Sequence, residues 1–429
     1  LIFKKFIFPS ILIATFIVAS TEVRSEDWRY QMRGNLSARL SSYTQEKSRN
    51  YAQQTHAQFE HSTEFSPSLV AINQLRWTSN SIASDLSTKS TPAKKDIFDT
   101  YLGENYLKYK SDNWVVQLGY QEVVWGEAFG FNYADIINPK DQRETLYSEA
   151  SEARLPLLLF NGKLFFSSGD LSGSMQLLVS PEPRFSKTLP VEIYAGNLIP
   201  QSSLTVIKQK SPAIFKTTEV GGKLAASYGG LDLSLFTYSY LSRDPHYSLQ
   251  SADLSNITVK EEHQKIQSYG LSLAKTIYDF VFRTDIVQTR DRMINYVAET
   301  GELLSLPTTS LNALLSLDTP TYNDYSGVLI FAQSTLGEVR PNSFRSKNEQ
   351  YVIGKLSKNL GSDKTLELSY THELEHTGQS VQSILSWPVN SSTDLKIGGE
   401  LYFGDEQSNL KKLRNVSSIF FSLKNYFQL

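Results

Sequence analysis

Two histidines and two glutamates stand together in His372-Glu373-Leu374-Glu375-His376. On a helix this H-E-x-x-H spacing brings both imidazoles to one zinc ion, with the first glutamate as base. The flanking residues decide against it. Leu366, Leu368 and Tyr370 alternate with Glu367, Ser369 and Thr371 and continue in step through His372 and Leu374. In an extended strand, positions four apart lie ~13 Å from each other at ~3.3 Å per residue, whereas zinc ligands sit about 2 Å from the ion. Only a helix starting after Thr371 would rescue the motif, and Thr377-Gly378 leaves it little room. His246-Tyr247-Ser248 sets a base beside a nucleophile, but it follows Asp244-Pro245 in an expected loop. No third residue offers itself to orient the base. The remaining histidines, His56, His61 and His263 among them, are scattered. No catalytic residue, no metal site and no cofactor is therefore expected; phosphate-binding and dinucleotide fingerprints are absent.

A different chemistry is concentrated in Val123 to Glu144, VVWGEAFGFNYADIINPKDQRE. Trp125, Glu127, Asp135, Asn138, Asp141 and Arg143 put an aromatic ring, an amide and charges of both signs into one short segment. Such a mixture at a narrow point decides which solutes pass. Asn138 can cap a helix with Pro139 at its first position, and Asp141 in the first turn suits the positive helix end. A short polar helix over 139–152 is expected. It has too little apolar surface to be stable alone, so it needs a host. An inward fold of 126–154 into a wet lumen supplies one, as a pore constriction; an extracellular loop with ordinary ion pairs is the other reading.

What must position this segment is a set of strands. In Trp28 to Leu40 one face is Trp28, Tyr30, Met32, Gly34, Leu36, Ala38 and Leu40, and the other includes Arg29, Arg33 and Arg39. Period two over so long a run is a strand signal, and three arginines on one side make that side wet and lumen-facing. Leu395 to Phe403 repeats the pattern, and Ile419, Phe421, Leu423 and Phe427 share a face at the C-terminus. Turn clusters such as Gly229-Gly230 and Ser111-Asp112-Asn113 alternate with longer polar connections. That alternation is expected when short turns lie on one side of a membrane and long loops on the other. The expected fold is all-β: a transmembrane antiparallel up-and-down barrel of about 16 strands, with 14 to 18 allowed. The stretch 294–345 is the open region, where Gly327 to Ala332 is either a strand or part of a loop. Trp125 closes an expected strand over 114–125, at its exit from the membrane. A large secreted β-sandwich would also alternate, but its loops would not sort by length.

Composition agrees. Tyr and Phe number 23 each, yet mean hydropathy is −0.30, as suits strands with only one face in lipid. Net charge of −2 and the absence of a basic run give no electrostatic case for nucleic acid. Cysteine is absent. Lys4 and Lys5 precede an apolar run from Phe6 to Ala19, and small residues permit cleavage at Ser20 or Ser25. Residues 1–25 thus read as a secretory signal peptide, and 26–429 as the barrel.

The series Gln117-Leu-Gly-Tyr-Gln-Glu-Val-Val-Trp-Gly-Glu127, then Ile136-Ile-Asn-Pro-Lys-Asp141, then Arg154-Leu-Pro156 resembles a family of functionally uncharacterised proteobacterial outer-membrane barrels. Members read LGRQ-x-V-x-WGE … N-P-x-D … LP at these places, over some sixty residues. Tyr120 departs from the family's arginine, which bears on the charge this strand gives the lumen. The family's genes lie beside RND-type efflux systems, so the resemblance implies passage of hydrophobic or amphipathic molecules and an RND partner. The ending Tyr426-Phe427-Gln428-Leu429 resembles the aromatic closing strand that the barrel assembly machinery reads, with two residues added after Phe427. His246-x-Ser248 is similar to the His-x-Ser of outer-membrane phospholipases but lacks their following Asn-Gly. The expected function is an outer-membrane channel for small amphipathic solutes, surrounded by membrane lipid and lipopolysaccharide. The alternative is a barrel enzyme acting on lipid or protein at the cell surface.

Overall fold

The computed structural model describes residues 29–43, 52–80, 97–128, 132–142, 153–188, 204–252, 257–405, 407–413 and 417–428. The signal-peptide reading of 1–25 lies outside them. In chain order the strands are β1 (Arg29–Tyr43), β2 (Ala52–Ser66), β3 (Leu69–Asn80), β4 (Ile97–Lys110), β5 (Trp114–Gln121), β6 (Leu157–Ser168), β7 (Leu171–Glu182), β8 (Leu204–Ile207), β9 (Glu219–Tyr228), β10 (Leu231–Leu241), β11 (His246–Ala252) and β12 (Ile257–Glu262). They continue as β13 (Lys265–Ile277), β14 (Phe280–Val297), β15 (Leu303–Asp318), β16 (Tyr325–Leu336), β17 (Asn348–Gly361), β18 (Lys364–Glu373), β19 (Gln379–Asn390), β20 (Thr393–Phe403) and β21 (Ser418–Gln428), with a short helix α1 (Asn409–Lys412) before the last. All but β8, β11 and β12 form one 18-stranded antiparallel sheet, and β1 pairs with both β2 and β21. The sheet is therefore a closed barrel without edges.

The count corrects the expected sixteen. The added pair, β15 and β16, occupies the open stretch 294–345. Its period was blurred because Leu314 and Leu315 stand side by side on opposite faces and Pro307 interrupts the run. Adding two strands keeps the number even and both termini on the short-turn side.

Period two produces the two faces. Leu36 and Leu40 of β1, Leu233 and Leu235 of β10, Leu311 and Leu315 of β15, and Ile419, Phe421 and Leu423 of β21 all point outward and are exposed. An apolar outer belt of this kind is stable only in lipid. Aromatics gather near the short turns: Tyr109 against Trp114 at 5.1 Å, Tyr278, Tyr325 under Lys358 at 4.4 Å, and Trp387 under Lys364 at 4.4 Å. Amphipathic rings with lysines beside them mark a membrane–water boundary. At the seam, Phe427 lies across Gly34 toward Phe59, 5.6 Å away. A methyl on Gly34 would overlap the Phe427 ring and the Gln58 carbonyl, so the closing aromatic needs this glycine. Gly229 and Gly230 both have positive φ in the β9–β10 turn, the twist that matches a tight hairpin.

The expected loops 182–215 and 244–262 are not simple loops. They carry β8, β11 and β12, a three-stranded sheet in which β12 is antiparallel to β11 and parallel to β8. Tyr247, Leu249, Ile257 and Val259 pack with Val206, Val297, Leu303 and Phe344, where β14 and β15 rise beyond the belt.

Candidate functional site

β5 stops at Gln121, four residues before the expected end, because the chain turns away from the wall. Asn138 fixes this departure. Its Oδ1 accepts from the Val123 N–H at 2.7 Å, and its Nδ2 donates to the carbonyls of Gln121 and Leu155 at 3.1 and 3.0 Å. The amide thus ties both ends of the 122–155 excursion together and caps no helix. Lys140 bridges Arg154 and Asp141 bridges Lys187 in extended pairing, which overturns the helix expected to start at Pro139. Pairing with 153–155 and with Lys187, both outside the barrel strands, gives these backbone groups their partners instead. Residues 143–152, including Arg143, lie outside the described residues.

Trp125 does not mark a membrane exit. It is 1% exposed, inside the barrel, with its ring 5.2 Å from Phe236 and 6.0 Å from Tyr238. Its Nε1 donates to Gln176 Oε1 at 3.0 Å. Phe236 and Tyr238 alternate with the outward Leu233 and Leu235 and so face the lumen. Leu159, Leu178, Ile266 and Val287 are lumen-facing on the same side and join the cluster with Ala134 and Ile137. Further around, Ala128 and Tyr133 pack on Leu314, Ile330 and Ile353 of β15, β16 and β17. An apolar inner wall here departs from the wet lumen that strand patterning implied. The segment covers it, burying apolar surface at ~25 cal/mol per Å².

Gly126 makes the turn after Trp125. Its φ is +94°, and a Cβ would overlap the Asn132 amide and the Ala134 methyl. That is the physical content of the glycine in Trp-Gly-Glu. Gly126→Ala is expected to strain the turn by roughly 1–3 kcal/mol and to make 122–142 susceptible to protease in folded barrels, read by limited digestion.

A buried ion pair locks the segment's far end. Arg243 meets Glu219 in two parallel bonds of 2.9 and 2.8 Å, and Glu219 is 0% exposed. Tyr238 Oη also donates to Glu219, at 2.9 Å. Arg243 then donates across to the Ile137 carbonyl at 2.7 Å and to the Arg184 carbonyl at 3.0 Å. Asp135 takes Lys140 and Arg154 at 3.0 and 3.1 Å. The Glu127 N–H donates to Asp285 of β14, and its carboxylate lies 3.9 Å from Lys223 of β9.

On β1 to β3 the charges form a ladder that runs from the exposed Arg33 to a buried Arg76 at the segment. Arg33 bonds Glu60, Gln74 bridges Glu60 to Arg76, and Arg76 meets Glu122 at 2.7 Å and the Arg154 carbonyl at 3.3 Å. Arg39 lies 4.7 Å over the Phe420 ring, and Arg29 is in register with Glu64. The structure thus brings Trp125, Glu127, Asp135, Asn138 and Asp141 together inside the barrel and joins Arg33 to them through β2 and β3. Glu60, Arg76, Glu122, Glu219 and Arg243 were missed. Period two places Glu60 and Arg76 on the inner face, but nothing in sequence says which charges meet across strands. Tyr120 shares the outward face of β5 with the exposed Leu118 and is bonded to Glu182 at 2.7 Å beneath Arg184, so its side chain is not in the lumen.

The tempting motifs separate. His372 lies outward on β18 beside Tyr370, while Glu373 is buried on the inner face, accepting from Ser408 Oγ at 2.8 Å. Among the described residues no group of three or more metal-ligating side chains occurs. His246 is 3.7 Å from Glu262, and Ser248 Oγ accepts from Gln250 Nε2 at 3.3 Å.

His263, next to the small sheet, stacks on Phe185 at 3.5 Å and bonds the Ser242 carbonyl at 2.7 Å. Burial pushes its pKa down from 6.5 to about 4. A histidine with a depressed value stays neutral in the fold while the opened loop takes a proton. Stability of this region is then full above pH 6.5 and falls as pH drops from 6.5 toward 4. Faster amide exchange in β11–β12 at pH 5 than at pH 7, corrected for intrinsic rates and reduced in His263→Phe, checks this.

No protein-family model matches the chain, and no curated protein matches its sequence. Solved structures do resemble it. One is OccAB1 of Acinetobacter baumannii, at TM-score 0.54 and 9% identity over 94% of this chain and 97% of that one. Another is a BenF-like porin from Pseudomonas fluorescens, at 0.52 and 11% over 94% and 99%. A third is Pseudomonas aeruginosa OpdK with vanillate, at 0.51 and 7% over 93% and 98%. The likeness is one of fold: a closed antiparallel outer-membrane barrel.

Proposed function

We propose that this chain is an outer-membrane channel that passes small amphipathic solutes through a lumen narrowed by residues 122–142. The observation that carries the reading is the apolar inner wall of β10 and β13–β17, which only a segment crossing the lumen can keep from water. Opposite it, Arg33, Glu60, Arg76 and Glu122 set alternating charges along β1–β3 and the segment, with Arg33 the open one at 63% exposure. A solute with an apolar body and a polar end suits a path between such walls. OpdK, solved with vanillate, is an instance of this fold with an aromatic carboxylate. The family resemblance adds an RND-type efflux system as the partner, and Phe427 on the closing strand as the assembly signal. Surface catalysis is the competing reading; the pairing of His246 with Glu262 and of Ser248 Oγ with Gln250 argues against it.

Recordings from purified protein in planar bilayers test the reading. Discrete conductance steps are expected. Arg76→Gln removes the cation between Glu60 and Glu122 and should shift reversal potentials in a salt gradient toward cation selectivity. Absence of conductance from correctly folded barrel, shown by heat-modifiable migration, would sink the channel.

A further inference from the structure

Between β8 and β9 the chain reads Ile207-Lys-Gln-Lys-Ser-Pro-Ala-Ile-Phe-Lys216. Ile207 and Ile214 are about half exposed and Phe215 is 79% exposed. Lys208, Lys210 and Lys216 are exposed beside them, and among the described residues Lys210 and Lys216 have no salt-bridge partner. Phe215 also has φ +66°, a left-handed conformation that a bulky residue adopts only at a cost. Two backbone bonds hold it there: the Phe215 N–H donates to the Pro181 carbonyl at 2.8 Å, and the Lys216 N–H to the Ala213 carbonyl at 3.0 Å. The chain thus bears strain to present an aromatic ring that touches little of the protein itself. Strain kept where packing gives no return points to something outside the chain.

Position says what that is. Pro181 lies at the end of β7, directly above the outward belt residues Leu177 on β7 and Val220 on β9. The knob therefore extends the lipid-facing belt upward at the long-loop rim and adds three ammonium groups where the lipid headgroups begin. Lysines of this kind lay their stems along apolar surface and carry their charge to the interface.

We infer that Ile207, Ile214 and Phe215, with Lys208, Lys210 and Lys216, form an anchor that inserts into the outer leaflet and binds the phosphates of its anionic headgroups. This rests on the reading that the outer belt lies in lipid. Each lysine near an anionic surface favours it roughly fivefold.

The chain has no cysteine, so a bimane label on Phe215→Cys, or on Ile214→Cys with the aromatic kept, reports one site. In vesicles, blue-shifted emission quenched by bromine-labelled lipid chains is expected. Brominated phosphatidylglycerol should quench more than brominated phosphatidylcholine, and the preference should disappear when Lys208, Lys210 and Lys216 are changed to Gln. Water-like emission that neither lipid quenches, from barrel that still conducts, overturns the anchor alone. Equal quenching by the two lipids overturns the preference for anionic headgroups. Quenching in a barrel that does not conduct would count against the channel and leave the anchor standing.

Discussion

Replacing Trp125 with alanine should enlarge single-channel conductance at least about twofold, since a barrel of ~16–18 strands with no inner segment is an open aqueous channel. The indole fills the space between Phe236, Tyr238 and Gln176 and is the largest fully buried side chain of the segment. Removing a buried tryptophan costs about 3–5 kcal/mol, because the cavity closes only in part. Most of that cost falls on the docking of 122–142, while the β-ladder of the barrel retains its own hydrogen bonds. Conductance and global stability should therefore respond unequally. Urea titration of vesicle-inserted protein, read beside bilayer recordings, separates them. A stability loss with unchanged conductance would mean that the segment does not narrow the path.

The second large effect is expected at Glu219. Glu219→Leu leaves the Arg243 guanidinium buried without its carboxylate, an uncompensated charge worth about 3–5 kcal/mol of destabilisation. Replacing both, Glu219→Leu with Arg243→Met, removes the unpaired charge and should restore part of the stability, since Tyr238 Oη and the Leu241 N–H still lose their acceptor at about 1–3 kcal/mol each. Gating should not recover. Arg243 also holds the Ile137 carbonyl at 2.7 Å, and methionine cannot. A double variant more stable than Glu219→Leu alone, with raised conductance, is the expected signature. Parent-like conductance in the double variant would show that the ion pair supports the wall and not the segment.

Sequence patterning carried the barrel because a strand between lipid and lumen repeats every two residues. β1, β20 and β21 show it plainly, and the outward Leu36, Ile397 and Phe421 follow directly. It blurred in β15, where Leu314 is apolar on the inner face because Tyr133 packs near it. The same cause hid the site. Alternation alone implies a polar lumen wall, yet Phe236, Tyr238 and Val287 are apolar because the inner segment covers them. Asn138 next to Pro139 carries a valid helix-start signal, and local preference alone would honour it. Three partners 15 to 17 residues distant took the amide instead.

By itself, then, the sequence determined an alternating, aromatic-edged chain that closes as a barrel, and it marked Val123 to Glu144 as the segment that breaks the pattern. Both follow from local periodicity, which each strand carries independently. Tertiary structure alone decided where that segment docks and which charges it meets. Glu219 and Arg243, or Arg76 and Glu122, become partners only once strand register brings distant residues to the same height.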